Sequence, residues 1–345
     1  MTHAAGATAA PRHRARLGLE TGLFVIPVAM VAVIVPALVL HRLGLPGTIG
    51  LTGVAVMLAT AMLGWRVGLL SAGTLTFGLV VADVAAHNRV SATLVMILVS
   101  VAFGLSARRG WQWGLMLTAI QFAVVTADPP TRDLTVSHPV SVLDMFLVTA
   151  ATTAFAVGTI WLLTRGRALS VEKPIAADRV VPYAAMLGVA AAITTPIVLS
   201  GHFKGAPALM VTPIIVLEPY WRDGMIGRLL DRGWGVIVGS LLAIGAAVTV
   251  DADWAIYLVA AIAAGVALHA KVAKWPYRRY VEGLTAAVVL YSGSSAVIVA
   301  DGRDRMLATA LGIAICAAIA AAMLPFLRRA RREDASTATS ATASP

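Results

Sequence analysis

Apolar runs long enough to cross a membrane follow one another along nearly the whole of this 345-residue chain. A transmembrane helix needs about 20 mainly apolar residues, and a backbone inside lipid must satisfy its own hydrogen bonds, which favours helices. Charged residues make up only 13% of the chain, against about 25% in an average soluble domain. The sequence therefore predicts an all-α integral membrane protein with about twelve transmembrane helices. The predicted spans are 19–41, 48–64, 67–87, 90–107, 111–127, 139–163, 180–201, 206–221, 227–250, 253–270, 278–299 and 304–327.

The charged residues lie mainly in the short turns between these spans. If the N- and C-termini are cytoplasmic, six of the 27 Lys and Arg residues fall outside and the remaining 21 inside, as the positive-inside rule predicts. A net charge of +10 raises the question of a nucleic-acid partner, but such partners require a continuous basic face rather than cations spread over turns. The six outer cations are Arg42, Arg89, Arg132, Lys204, Arg303 and Arg305.

The spans divide into two halves that resemble each other. Pro36 and Pro196 occupy equivalent places, and a Leu-Thr pair ends at Thr118 in one half and at Thr285 in the other. Because six crossings bring the chain back to the same side, the two repeats insert in the same orientation. The predicted organisation is a cytoplasmic tail at 1–18, a six-helix unit at 19–165, a cytoplasmic linker at 166–179, a second six-helix unit at 180–327, and a basic, then disordered tail at 328–345.

The stretch 205–243 is the most unusual part of the chain. Pro213 and Pro219 are predicted to break a transmembrane helix, and such breaks are tolerated beside protein or a water-filled cavity. Arg228 and Arg232 are four residues apart, so they share one face near the N-terminus of the next helix, where the helix dipole also favours anions. The alternative is that these cations only set the topology by meeting lipid headgroups. The predicted anion pathway comprises Arg228, Arg232, Arg222, Lys204 and His202.

Several carboxylates lie within or at the edges of the predicted spans. Ionisable groups are expensive inside a membrane, so each is a functional hypothesis, while local pairing or an interfacial position is the alternative. Glu218, at the end of the helix before Arg228 and Arg232, is the first choice for a proton site. The candidates for proton coupling are Glu218, Asp231, Glu282 and Asp83.

The motifs of common enzyme classes are missing from the sequence. There is no Walker A phosphate loop, no HExxH and no GxSxG, and the single cysteine, Cys316, lies inside the last apolar run. ATP hydrolysis, metalloprotease chemistry and serine-hydrolase chemistry therefore lack support. We expect a protein that is not an enzyme, with no cofactor and no metal site.

The motif R-x-x-x-R-G-x-G-x-x-x-G, which begins at Arg228, follows a proline-broken helix and an aromatic turn. This arrangement resembles the fusaric acid resistance (FUSC) superfamily, which includes aromatic acid exporters and plant aluminium-activated malate transporters. The stretch 303–321 is similar to the later helices of that superfamily. The resemblance implies two six-helix units around a conducting path, with Arg228 and Arg232 near it. The chain departs from the pattern at Gly235-Val236, where the family has Gly-Thr, and it lacks the cytosolic domain that many relatives carry.

Two other classes remain open. A loop signature of the major facilitator fold is partly matched by Gly227, Asp231 and Arg232. The corresponding turn in the first half, GWRVGLL, lacks the Asp-Arg pair. A membrane scaffold that transports nothing is the second alternative. The favoured hypothesis is a multi-pass transporter of the cell (inner or plasma) membrane that exports organic anions, such as aromatic or hydrophobic weak acids, driven by the proton-motive force. Its expected partners are the lipid bilayer and a small organic anion, and a homo-oligomer is left open.

Overall fold

The computed structural model describes residues 46–132, 141–164, 174–200, 207–217, 225–250, 252–273, 275–290 and 295–342. These residues form α-helices joined by short turns, with two brief 3₁₀ segments at Ala107–Arg109 and Pro130–Arg132, and this part of the chain contains no strand. The helices are α1 (Pro46–Leu63), α2 (Trp65–Ala85), α3 (Arg89–Ser106), α4 (Gln112–Ala127), α5 (Val142–Thr164), α6 (Ala177–Leu199), α7 (Ala208–Val216), α8 (Met225–Thr249), α9 (Asp253–Val272), α10 (Tyr277–Leu290) and α11 (Ser295–Thr342).

Seven segments within these helices are long and apolar enough to cross a membrane. Their outward faces carry large apolar side chains, such as Phe77, Leu98 and Leu162, that are mostly exposed, and a broad apolar belt of this kind is suited to lipid. The protein is therefore an α-helical membrane protein. The first predicted span, 19–41, lies outside the described residues. The seven segments are Trp65–Ala85, Arg89–Arg109, Val142–Leu162, Ala177–Leu199, Leu229–Thr249, Trp254–Lys271 and Gly302–Met323.

The helix boundaries differ from the predicted spans at three places in the second half. Helix α7 ends at Val216, and Leu217 is extended, because Pro219 cannot donate the backbone hydrogen bond that a continuing helix requires. Helix α10 ends at Leu290, just before a Ser- and Gly-rich stretch of low helix propensity. Helix α11 then starts at Ser295, earlier than the predicted 304, which places Arg305 in the helix interior.

Helix α11 also differs from the prediction at its C-terminal end. A disordered tail was predicted within 328–345, whereas the helix continues to Thr342. The segment 327–335 contains four arginines and two alanines, which are good helix formers, whereas 336–342 is mainly Ser and Thr, which form helices less readily. Extending an existing helix also avoids the cost of nucleating a new one.

The helix packing of the first half recurs in the second half. Helices α1 to α5 correspond in order to α7 to α11. Contacts of α1 with α2 and α5, of α2 with α3, α4 and α5, and of α3 with α4 have counterparts among α7 to α11, whereas the extensive contact of α1 with α4 has no comparable counterpart between α7 and α10. This recurrence supports the predicted internal repeat. The halves meet mainly where α3 packs on α6 and where α4 packs on α7.

Candidate functional site

Two glycines bring α8 against α10 and turn one face of α8 inward. A Cβ atom added at Gly239 would lie 2.6 Å from the carbonyl oxygen of Glu282, and one at Gly235 would lie 2.6 Å from a methyl carbon of Val281. Both distances are far below ordinary van der Waals contact, so only glycine allows this approach. Arg232 precedes Gly235 by three residues and Gly239 by seven, so its side chain leaves the helix on the same inward face.

A cavity of about 40 Å³ lies between the two halves at this position. Both halves line it, and the repeat is visible in its walls. Leu51 and Val211 face it from the equivalent helices α1 and α7, and Leu117 and Leu284 face it from α4 and α10. The last two are the leucines of the repeated Leu-Thr pairs. The remaining lining residues are Ile120, Val124, Ala208, Ile215, Arg232, Val236, Thr285, Val288, Arg305 and Thr309.

Arg232 is the most unusual residue of the cavity wall. Its side chain is 5% exposed, and its Nε and Nη1 atoms have no hydrogen-bond partner among the described residues. Tyr277, Tyr280 and Arg305 are its electrostatic neighbours. A buried guanidinium normally has its N–H groups paired, because an unpaired buried charge costs several kcal/mol, roughly 3–5 when one partner of a pair is removed. Arg232 therefore points to an anionic partner that the described residues do not supply.

A second cavity cation, Arg305, was not among the predicted site residues. It was counted among the outer cations at the start of the last span, but it lies inside α11, is 9% exposed and lines the cavity. Thr309, one turn later on α11, also lines the cavity, and its buried hydroxyl has no partner among the described residues. The apolar segment before Asp301 was a signal that the helix starts earlier, since SAVIVA continues the apolar pattern toward the N-terminus.

Aromatic rings surround a further cation near Arg232. The Lys271 Nζ atom lies 3.2 Å from the centroid of the Trp113 ring and 5.3 Å from that of Tyr280. Trp113 belongs to the first half, while Lys271 and Tyr280 belong to the second. This cation–π contact therefore joins the two halves beside the cavity, and such contacts are worth about 0.5–2 kcal/mol.

Glu282 and Asp231 do not line the cavity. The Glu282 carboxylate forms ion pairs with Arg278, at 3.5 Å from its Nε, and with Arg279, at 3.2 Å from its Nη1. Asp231 is half-buried on α8 next to Arg232 in sequence. These ion pairs agree with the alternative given for Glu282 in the sequence analysis, a carboxylate that is neutralised by neighbouring cations.

The other predicted carboxylate of the first half, Asp83, holds a turn. Its two carboxylate oxygens accept hydrogen bonds from the backbone N–H of Thr131 at 3.2 Å and from the Thr131 hydroxyl at 2.7 Å. Asp83 is 1% exposed, and these bonds tie the end of α2 to the 3₁₀ segment Pro130–Arg132. The contacts give Asp83 a structural role.

Several predicted residues lie where the structure does not describe them. Of the two predicted helix breakers, Pro213 is among the described residues. It lies buried inside α7. Arg228 belongs to α8, but its side chain is outside the described part. The predicted site residues that lie wholly outside the described residues are His202, Lys204, Glu218, Pro219 and Arg222.

No cluster of three or more His, Cys, Asp or Glu side chains that could hold a metal ion occurs in the described ranges. Cys316 is buried and free. The chemistry of the cavity is thus that of guanidinium groups, hydroxyls and aliphatic walls, which suits binding of an anion with an apolar body.

Comparison with known proteins adds no relative to this description. No family model matches the chain, and neither a curated protein nor a solved structure matches it. The resemblance to the FUSC superfamily stays a prediction that rests on the motif beginning at Arg228.

Proposed function

We propose that this protein transports organic anions across a cell membrane, and that the cavity between its halves is part of the transport path. The observation that carries the proposal is Arg232, a buried guanidinium with two N–H-bearing nitrogens unpaired by described residues, facing an interior cavity. Ionisable residues inside a membrane protein most often face such cavities and mark substrate pathways. A carboxylate is the planar partner that a guanidinium fork binds best.

The cavity walls indicate what the rest of the substrate would be. Apart from Arg232, Arg305 and two threonines, the lining side chains are aliphatic. A substrate with one carboxylate and an apolar or aromatic body would bury that body against Leu, Ile and Val side chains at about 25 cal/mol per Å² of apolar surface. We therefore propose aromatic and other hydrophobic weak acids as the substrate class.

The proposal also includes the direction of transport and the energy source that drives it. Export of weak acids driven by the proton-motive force follows from the FUSC resemblance, and Glu218 is the proposed proton site because it follows α7, a helix of the cavity wall. We further propose twelve spans with cytoplasmic termini, on the basis of the distribution of Lys and Arg between the turns. The proposed location is the inner or plasma membrane.

The proposal is tested by efflux from proteoliposomes loaded with labelled acids under an imposed pH gradient. We expect benzoate and related hydrophobic acids to leave faster than from protein-free liposomes, and uncharged aromatic alcohols of the same size to show no protein-dependent efflux. The carboxylate requirement follows from the guanidinium site. Absence of protein-dependent efflux for every acid would contradict organic-anion transport and favour a membrane scaffold or a facilitator with another substrate.

A further inference from the structure

In the conformation described here, the cavity is too small for the proposed substrates. Its volume is about 40 Å³, whereas an apolar cavity that takes up benzene measures about 150 Å³, and one water molecule needs about 10–15 Å³. An aromatic acid therefore requires a more open conformation. In the conformation described here, the cavity has room only for a group of a few atoms.

Arg232 nevertheless needs a negative partner in this conformation. The lining side chains in the described part of the chain include Arg232 and Arg305 but no carboxylate. Arginine stays protonated at any physiological pH, so the site cannot become neutral by losing a proton. An anion inside the cavity would remove the penalty of the unpaired buried charge.

Polar side chains from two helices contribute to the cavity wall. Arg232 lines the cavity from α8, and Thr309 lines it from α11. The Arg232 Nε and Nη1 atoms and the Thr309 hydroxyl are buried without a hydrogen-bond partner among the described residues. One small cavity is therefore lined by a guanidinium and a hydroxyl that both lack a described partner.

The apolar walls select among small anions by the cost of removing their water. Val236, Leu284 and Val288 offer no hydrogen bonds to replace the hydration shell of an ion. Stripping water from a charged group is expensive in an apolar environment. Weakly hydrated monoanions therefore fit better than strongly hydrated ions such as sulfate or phosphate.

We propose that the cavity, in the conformation described here, holds one small, weakly hydrated inorganic monoanion, of the class of iodide, bromide and nitrate, against Arg232 and Thr309. Arg305 adds to the positive potential at the site. This inference rests on the anion cavity of the proposed function and adds the occupant of this conformation, which the organic acid displaces when the cavity enlarges.

Equilibrium dialysis of the purified full chain against labelled iodide, in gluconate buffer, tests this inference. We expect saturable binding of one iodide per chain, displaced by bromide and nitrate but not by sulfate. Arg232→Gln should weaken iodide binding by at least about tenfold, because it removes a charged hydrogen-bond donor. Thr309→Val, which keeps the shape and removes the hydroxyl, should weaken it by about twofold to tenfold. The control Arg303→Gln, at an exposed position close to Arg305, should bind iodide like the wild type.

Thermal unfolding in the same buffers separates binding from misfolding. Because Arg232→Gln removes an uncompensated charge, this variant should be at least as stable as the wild type in gluconate, and only the wild type should be stabilised by iodide. No stoichiometric iodide binding, equal binding by Arg232→Gln, or equal competition by sulfate would each overturn the inference. If Arg232→Gln does not fold, Thr309→Val decides the question.

The same protein preparation distinguishes this inference from the proposed function. Iodide binding without efflux of any organic acid would keep the inorganic-anion site and contradict organic-anion transport. Efflux of organic acids without iodide binding would keep the proposed function and contradict the site. Benzoate should displace labelled iodide if the two ligands use the same guanidinium.

Discussion

Arg232→Gln is expected to lower the efflux of hydrophobic acids by at least about 30-fold, the effect of losing a buried charged partner worth roughly 2–5 kcal/mol. Glutamine keeps hydrogen-bonding capacity and much of the length of the side chain, but it carries no charge. The carboxylate of the substrate would then enter an apolar cavity without a counter-charge in direct contact. Initial rates of efflux from proteoliposomes, normalised to the amount of inserted protein, give this ratio.

The matched control for this prediction is Arg303→Gln. Arg303 is an exposed arginine near Arg305 on α11, and its removal changes the net charge by the same amount. We expect its efflux rate to stay within about twofold of the wild type, because exposed charges contribute little. A folded Arg232→Gln protein with a wild-type rate would show that the substrate does not contact this guanidinium.

Thr309→Glu is expected to abolish efflux and to stabilise the protein in the absence of small anions. The substitution places a carboxylate on α11 in the wall of the cavity that Arg232 also lines from α8. A tethered carboxylate would compete with any free anion, since its effective concentration is in the millimolar range or above. It would also relieve the unpaired buried charge, a change worth several kcal/mol, about 3–5. Efflux rates and thermal unfolding in gluconate buffer measure the two effects.

Thr309→Gln separates the charge of this substitution from its size. Glutamine has nearly the volume of glutamate and cannot neutralise a guanidinium, so we expect no stabilisation and only a partial loss of efflux. If the glutamate and glutamine variants unfold at the same temperature, Thr309 does not share the electrostatic environment of Arg232. If both lose efflux equally, steric blocking explains the loss and the charge does not.

The local pattern of the sequence singled out Arg232, and the structure places this residue in the cavity wall, while its role in transport stays a prediction. Arg232 was predicted because its spacing from Arg228 and from the following glycines is set within one helix. Arg305 was missed because its position depends on where α11 begins, and the predicted start at 304 made it look like a residue of an outer turn. The apolar segment SAVIVA before Asp301 indicated the earlier start, but the prediction assigned most of it to the preceding span, 278–299.

The partners of the carboxylates were predictable to different degrees. Arg278 and Arg279 precede Glu282 by four and three residues, the spacing of helical ion pairs, so local neutralisation of Glu282 was available from the sequence. The partner of Asp83 is Thr131, which is distant in the chain. No spacing argument connects them, since only the packing of α2 against the 3₁₀ segment brings them together.

The apolar runs predicted the helices well, but not their lengths near proline and serine. The runs show where a helix is compatible with lipid, while breaks depend on backbone donors and on propensity. Helix α7 illustrates this difference, because the predicted span reached residue 221 and the helix stops at Val216. Because α7 stops at Val216, it contributes only a short helix to the cavity wall.

The most direct test of the transport path uses a single reactive thiol in the cavity wall. The chain has one cysteine, Cys316, which is buried, so Cys316→Ser provides a background without thiols. Into it we place Val236→Cys, which lines the cavity, or Leu241→Cys, a control on an exposed face of the same helix. The measurement is the rate of labelling by an anionic thiosulfonate reagent in transporting proteoliposomes, with and without benzoate.

We expect the thiol at 236 to react with the anionic reagent, benzoate to slow this reaction several-fold, and the thiol at 241 to show no protection by benzoate. Protection would place the substrate in the cavity beside Arg232. A variant that still exports benzoate, but whose thiol at 236 is unreactive or is labelled at the same rate with benzoate present, would contradict the central claim that the anion passes between the two halves.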